Sequence, residues 1–143
     1  MAGAVGTEDL DGLEFINPKG LYNPSHNGYS HLAIFPAGWR IILPAGQGGE
    51  TEDQALSADF RVQLKQAIRN TVTVLAAAGA TLADVAKFTL YVVDHDKKKF
   101  HIIVEEFATV WGDRKPAWTL APVPALALDG MLVEIDVIAV VPR

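Results

Sequence analysis

Glu134 and Asp136 stand two residues apart in the apolar run LVEIDVIAVV, residues 132–141. A period-two strand puts Val133, Ile135, Val137 and Ala139 on one face and Leu132, Glu134, Asp136, Ile138 and Val140 on the other. At roughly 3.3 Å per residue the two carboxylates are separated by about 7 Å. That spacing suits a coupled pair in which one acid has a raised pKa and assists addition of water to a C=N bond. Glycosidases use similar distances, but nothing else in the chain points to a sugar groove. Two environments are open for this face. It is either wet, as one side of an antiparallel sheet commonly is, or a polar site in a seam covered by another subunit.

Other chemistry-bearing patterns are thinner. The chain has no cysteine, so it has no disulfide, thiolate ligand or thiol nucleophile. His26, His31, His95 and His101 show no metal-ligand spacing, and neither a metal nor a cofactor is expected. Ser30 and His31 are neighbours in an extended stretch and point to opposite faces, which argues against a serine nucleophile with its base. The glycine-rich segment 44–49, PAGQGG, lacks the lysine and spacing of a phosphate loop. Its glycines are read as places where backbone passes close to a ligand or to another strand.

A chain of 143 residues, 50% hydrophobic and 20% charged, can bury a core as one domain spanning 1–143. Its net charge of −5 disfavours nucleic-acid binding. No apolar run reaches the ~20 residues that cross a bilayer, and the acidic N-terminus does not resemble a secretory signal. A cytoplasmic protein without a membrane partner is the expectation.

Residues 1–15 read as a loose arm and 15–28 as an ordered loop. Strands are expected at 29–35 and 39–43, joined as a hairpin through Pro36-Ala37-Gly38. Apolar spacing predicts a helix over 57–78 with Ser57 as N-cap, and Thr81 with Asp84 forms a second, shorter cap. A strand over 85–93, a charged turn over 94–99, and a helix from Phe100 to Gly112 follow, and two strands lie within 114–141. Two helices cover only one face of such a sheet, so an α+β oligomer is the economical arrangement.

Several of these segments together resemble the Rid superfamily, also called the RidA or YjgF/YER057c/UK114 family, which contains reactive-intermediate deaminases. They are NGYSHL, the AGQ at 45–47, AAAGATLADVAKFTLYVVD, the RKPAWT turn and VEIDVIAVV. The resemblance runs from about Ile16 to Val141. It implies a chorismate-mutase-like sheet of about five or six strands with two helices on one face. It also implies a homotrimer with a small-metabolite cleft at each subunit interface.

Transferred residue by residue, the resemblance implies Glu134 as the catalytic, water-positioning glutamate. Tyr29, Gly46, Gln47, Trp118, Thr119 and Leu120 would line the cleft. Three positions depart from the family pattern. Ala45 replaces a serine, Val104 replaces an asparagine, and Trp118 replaces the arginine that binds a substrate carboxylate. Leu120 stands where relatives have cysteine, leaving its backbone carbonyl to hold a water. Losing a bidentate guanidinium, worth roughly 1.5–3 kcal/mol, should weaken an amino-acid-derived imine about tenfold to a hundredfold. Trp118 either stacks on an aromatic or apolar ligand or packs against protein. Arg40, Arg114 and Lys115 are the candidates to replace the missing charge. The expected function is enamine or imine hydrolysis on an atypical substrate. The alternatives are a non-catalytic ligand- or partner-binding trimer and, less favoured by charge, an endoribonuclease.

Overall fold

A computed structural model of the chain describes residues 9–143. The strands are β1 (Glu14–Ile16), β2 (Leu32–Ile34), β3 (Arg40–Ile42), β4 (Gln47–Gly48), β5 (Val85–Val93), β6 (Ala117–Val123) and β7 (Val133–Val141). Helix α1 (Phe60–Ala76) lies between β4 and β5, and α2 (Lys97–Trp111) between β5 and β6. The main sheet runs β3-β7-β5-β6, with β4 also paired to β7. β5 and β6 are parallel because α2 carries the chain back between them, whereas β7 is antiparallel to β3, β4 and β5.

The alternation read from the sequence sets the two faces. Val133, Ile135, Val137 and Ala139 of β7, with Phe88, Leu90 and Val92 of β5, are buried against the helices. From the helices, α1 contributes Phe60, Leu64, Ala67, Ile68 and Leu75 to this core, and α2 contributes Ile103 and Phe107. Removing the side chain of such a residue, Leu64→Ala for example, costs about 2–5 kcal/mol. The helices are further tied by Glu106, which accepts from Arg61 at 2.6 Å and from Lys65 at 2.9 Å.

The opposite face carries no helix. In the single chain Ile41 is 56% and Ile138 39% exposed, although Val140 is buried. The described part of the molecule leaves the Glu134–Asp136 face open to solvent at Asp136 and half-covered at Glu134.

Several local expectations are corrected. β2 and β3 do not form a hairpin: β2 pairs with β1, and β3 pairs with the far end of β7, Ile41 opposite Val140. Glu14–Ile16 is therefore a strand rather than the end of a loose arm, and residues 1–8 of that arm lie outside the described residues. Helix α1 begins at Phe60 with Asp59 as its cap, accepting from Val62 N at 2.9 Å, while Ser57 Oγ accepts from Asp59 N. The lysines assigned to a turn form the first turn of α2, because Asp96 caps it by accepting from Lys99 N at 2.8 Å. The Thr81–Asp84 capping box is present.

One buried polar residue organises the entry to β7. Gln63, fully buried, donates through Nε2 to Ser57 O at 2.6 Å and Gly130 O at 2.8 Å, and its Oε1 accepts from Leu132 N at 2.9 Å. Gln63→Leu keeps the volume but removes all three partners. Because an unpaired buried group costs ~1–3 kcal/mol, denaturant unfolding should show a loss of about 2–3 kcal/mol. A loss below about 0.5 kcal/mol would contradict this role.

Candidate functional site

Glu134 is placed by the pairing of β4 with β7, Gln47 opposite Ile135 and Gly48 opposite Glu134. The carboxylate folds over Gly46: a Cβ there would come within 2.7 Å of Glu134 Oε1 and 2.8 Å of Cδ. Glycine at 46 is thus what makes room for the acid. The Gln47 side chain turns back to donate to Ala45 O at 3.1 Å. Gly49, two residues on, passes against the backbone of α1, where a Cβ would sit 2.5 Å from Gln63 O. The glycine-rich segment therefore serves three close approaches: Gly46 to the acid, Gly48 to the side chains of Met131 and Glu50, and Gly49 to a helix.

The pKa of Glu134 is raised above the ordinary 4.5, first by desolvation, then by the like charges of Asp136 and Glu50. No hydrogen bond contributes to that shift. Asp136 is exposed. Sheet register sets Tyr91 beside Glu134, Thr89 beside Asp136, and Thr119 one strand beyond Thr89.

Trp118 has a different environment. It pairs in register with Phe88, and the two rings stack at 5.3 Å with an interplanar angle of 7°. Phe107 and Tyr29 meet its ring edge-on at 5.4 and 6.2 Å. Its indole N–H donates to Gly28 O at 2.8 Å, and only 8% of the residue is exposed. Of the two roles open from sequence, packing on protein is the one this ring fills within the chain. The N–H bond also anchors the loop before β2 at Gly28, which has a positive φ of 81°.

Beside Trp118 lies an open pocket of about 370 Å³ lined by Tyr22, Asn27, Tyr29, Phe100, Trp118, Thr119 and Leu120. Tyr22 and Tyr29 share a hydrogen bond between their hydroxyls, and His31 Nε2 lies 2.8 Å from Tyr22 O. Ser30 Oγ donates to Lys115 O at 2.6 Å, so serine and histidine do not form a catalytic pair. Neither Arg40, Arg114 nor Lys115 lines this pocket. Arg114 instead donates to Ala83 O at 2.9 Å and Leu13 O at 2.8 Å, with its guanidinium over Phe15.

The seven expected site residues thus form two groups rather than one. Gly46, Gln47 and Glu134 form the first, and Tyr29, Trp118, Thr119 and Leu120 the second. Strand parity separates Trp118 and Leu120 from Glu134: Trp118 shares a row with Phe88 and Val137 on the helix side and Glu134 a row with Tyr91 on the other, while Thr119, at the pocket's rim, shares the row of Thr89 and Asp136 on the acid face. Within one chain the sheet itself stands between Glu134 and Trp118. Sequence reasoning did not single out Tyr22, Asn27 or Phe100 as lining residues. Among the described residues no three His, Asp or Glu side chains converge as metal ligands.

The family described as Endoribonuclease L-PSP matches residues 22–141. The chain belongs to this family, within the Rid/YjgF superfamily. A solved member of the Rid family, YyfB from Yersinia pestis, is 32% identical. The two structures align with a TM-score of 0.84 over 90% of this chain and 98% of that one. A RutC family protein of Pyrococcus abyssi is 36% identical over 107 residues, 74% of this chain and 76% of the relative. A second, from Pyrococcus horikoshii, is 35% identical over 86 residues, which span 60% of this chain and 66% of that relative. The two-helix mixed sheet is the YjgF fold of these Rid structures. No described helix is long and apolar enough to cross a membrane.

Proposed function

We propose that this Rid-family chain forms a homotrimer that binds a small metabolite between subunits and hydrolyses an imine or its enamine tautomer. The half-covered Glu134 carboxylate, held over Gly46 with a raised pKa, carries the reading. Glu134 takes a proton from water as the oxygen attacks the C=N carbon, and returns it to the departing nitrogen. The balance is R₂C=NH + H₂O → R₂C=O + NH₃, with no redox partner.

Assembly supplies the rest of the site. The helix-free face exposes Ile41 and Ile138 around the acids, and self-association covers them. It also brings the Glu134 group of one subunit toward the Tyr29–Trp118 group of its neighbour, which the sheet prevents inside one chain. The absence of any cation lining the Trp118 pocket favours a second reading, a ligand-binding trimer without turnover. The family description names an endoribonuclease, but net charge −5 and these two residue groups supply no phosphate contact.

Sedimentation together with ammonia release from imines generated in place by oxidases tests the proposal. A trimer that accelerates hydrolysis is the expected result. A monomer, or a trimer inert toward every imine offered, would overturn the catalytic reading. For 2-iminopropionate, made by an amino-acid oxidase, the expected rate is low, because no cation lines the pocket to pair with its carboxylate.

A further inference from the structure

We infer that the Trp118 pocket takes an uncharged planar ring, an aryl or heteroaryl group without a carboxylate. The inference rests on the proposed reading of the site as an imine hydrolase and names its substrate class: ring-bearing, carboxylate-free imines.

Three observations carry it. First, the lining residues of the pocket include four aromatic rings, from Tyr22, Tyr29, Phe100 and Trp118, and no Lys, Arg, His, Asp or Glu. A carboxylate entering there would lose hydration without gaining a cationic partner, whereas a flat ring gains offset or edge contacts. Secondly, the polar side chains of the lining on this side of the sheet are neutral: two phenol hydroxyls and the Asn27 amide. They match hydrogen-bonding substituents at a ring's edge. Thirdly, the lysine next in sequence to the lining residue Phe100 is committed elsewhere. Lys99 donates to Val93 O at 2.7 Å and Asp94 O at 2.9 Å and lies over the Phe60 ring. Arg61 pairs with Glu105 and Glu106. His26, His101 and Glu105 line a separate cavity of about 340 Å³ that shares only Asn27 and Phe100 with this one. The volume of about 370 Å³ falls in the range of small-ligand pockets, roughly 300–1,000 Å³.

On this substrate the step is ArCH=NH + H₂O → ArCHO + NH₃. Water forms the new C–O bond, the C–N bond breaks, and ammonia carries away the nitrogen.

Benzamide and benzoate, alike in shape and different in charge, are the probes. Titrated against the natural protein by calorimetry, benzamide is expected to bind at least tenfold more tightly than benzoate, a factor equal to about 1.4 kcal/mol. Equal affinities, or tighter benzoate, would overturn the inference. Asn27→Lys, which sets an ammonium at the pocket, is expected to shift the ratio at least tenfold toward benzoate. An unchanged ratio would show that the probes bind elsewhere and would also overturn it. Turnover separates this inference from the hydrolase reading. Benzamide selectivity without hydrolysis of benzylimine, made in place from benzylamine by an amine oxidase, would uphold the ring pocket and sink the hydrolase. Hydrolysis of 2-iminopropionate without benzamide selectivity would do the reverse.

Discussion

Trp118→Arg, which introduces the carboxylate-binding arginine that the family resemblance implies at this position, is expected to damage the fold rather than create an imino-acid deaminase. The indole stacks on Phe88, meets Phe107 edge-on, and donates to Gly28 O from a position only 8% exposed. Deleting a buried aromatic costs ~3–5 kcal/mol, and a guanidinium placed there has one described carbonyl to pair with. At about 2–4 °C per kcal/mol for a chain of this size, thermal unfolding should fall by roughly 6–20 °C. Trp118→Phe keeps one aromatic ring in the stack but loses the N–H bond and part of the ring's volume, together about 2–3 kcal/mol, so it should fall by less, roughly 4–12 °C. Equal melting temperatures for natural protein and Trp118→Arg would show that the ring is not part of the core.

Glu134→Gln is expected to abolish turnover while leaving the protein folded, with a small gain in stability at neutral pH. General acid–base groups contribute about 10²–10⁴-fold to rate, so a loss of at least a hundredfold is the expected result. The stability sign follows from the raised pKa: the folded chain holds this proton more tightly than the unfolded chain does. Stability is therefore highest below the ordinary 4.5 and is lost as pH rises from there through the raised folded value. Glutamine removes that loss. Because the group is partly solvated, the gain at pH 7 should stay below about 1 kcal/mol, and at pH 4 the two melting curves should nearly coincide. Turnover retained by Glu134→Gln would refute the assigned role. A variant less stable than the natural protein at pH 7 would refute the account of its environment.

The central strands were legible because they are long enough to show a period. Val85–Val93 was read with its observed bounds, and the alternation in 132–141 divided β7 into the two faces found. The N-terminal third misled because β1, β2 and β3 are three residues each, too short for a pattern, and their partners are distant in sequence. Gly38 does turn the chain with φ 83°, but the segments it joins go to different sheets.

The site was half legible for a related reason. Each strand's parity is visible in its own sequence, yet the register between strands is not, so nothing in RKPAWT revealed that Trp118 faces Phe88 while Glu134 faces away. Gln63 left a signal that went unread. It lies on the buried stripe of α1 between Phe60 and Leu64, where a polar residue calls for partners.

Complementation between two inactive variants most directly tests the claim that neighbouring chains share one site. Glu134→Gln lacks the acid and Tyr29→Ala lacks a wall of the ring pocket, and the two are co-expressed, with mixed trimers confirmed by mass. Benzylimine and 2-iminopropionate are both offered. If each site joins the Glu134 group of one chain to the Tyr29 group of the next, random mixing leaves about a quarter of the sites intact. Recovery of about a quarter of the natural ammonia release is the predicted result. Mixed trimers that stay as inactive as either parent would show that both groups must come from the same chain, contradicting the shared site.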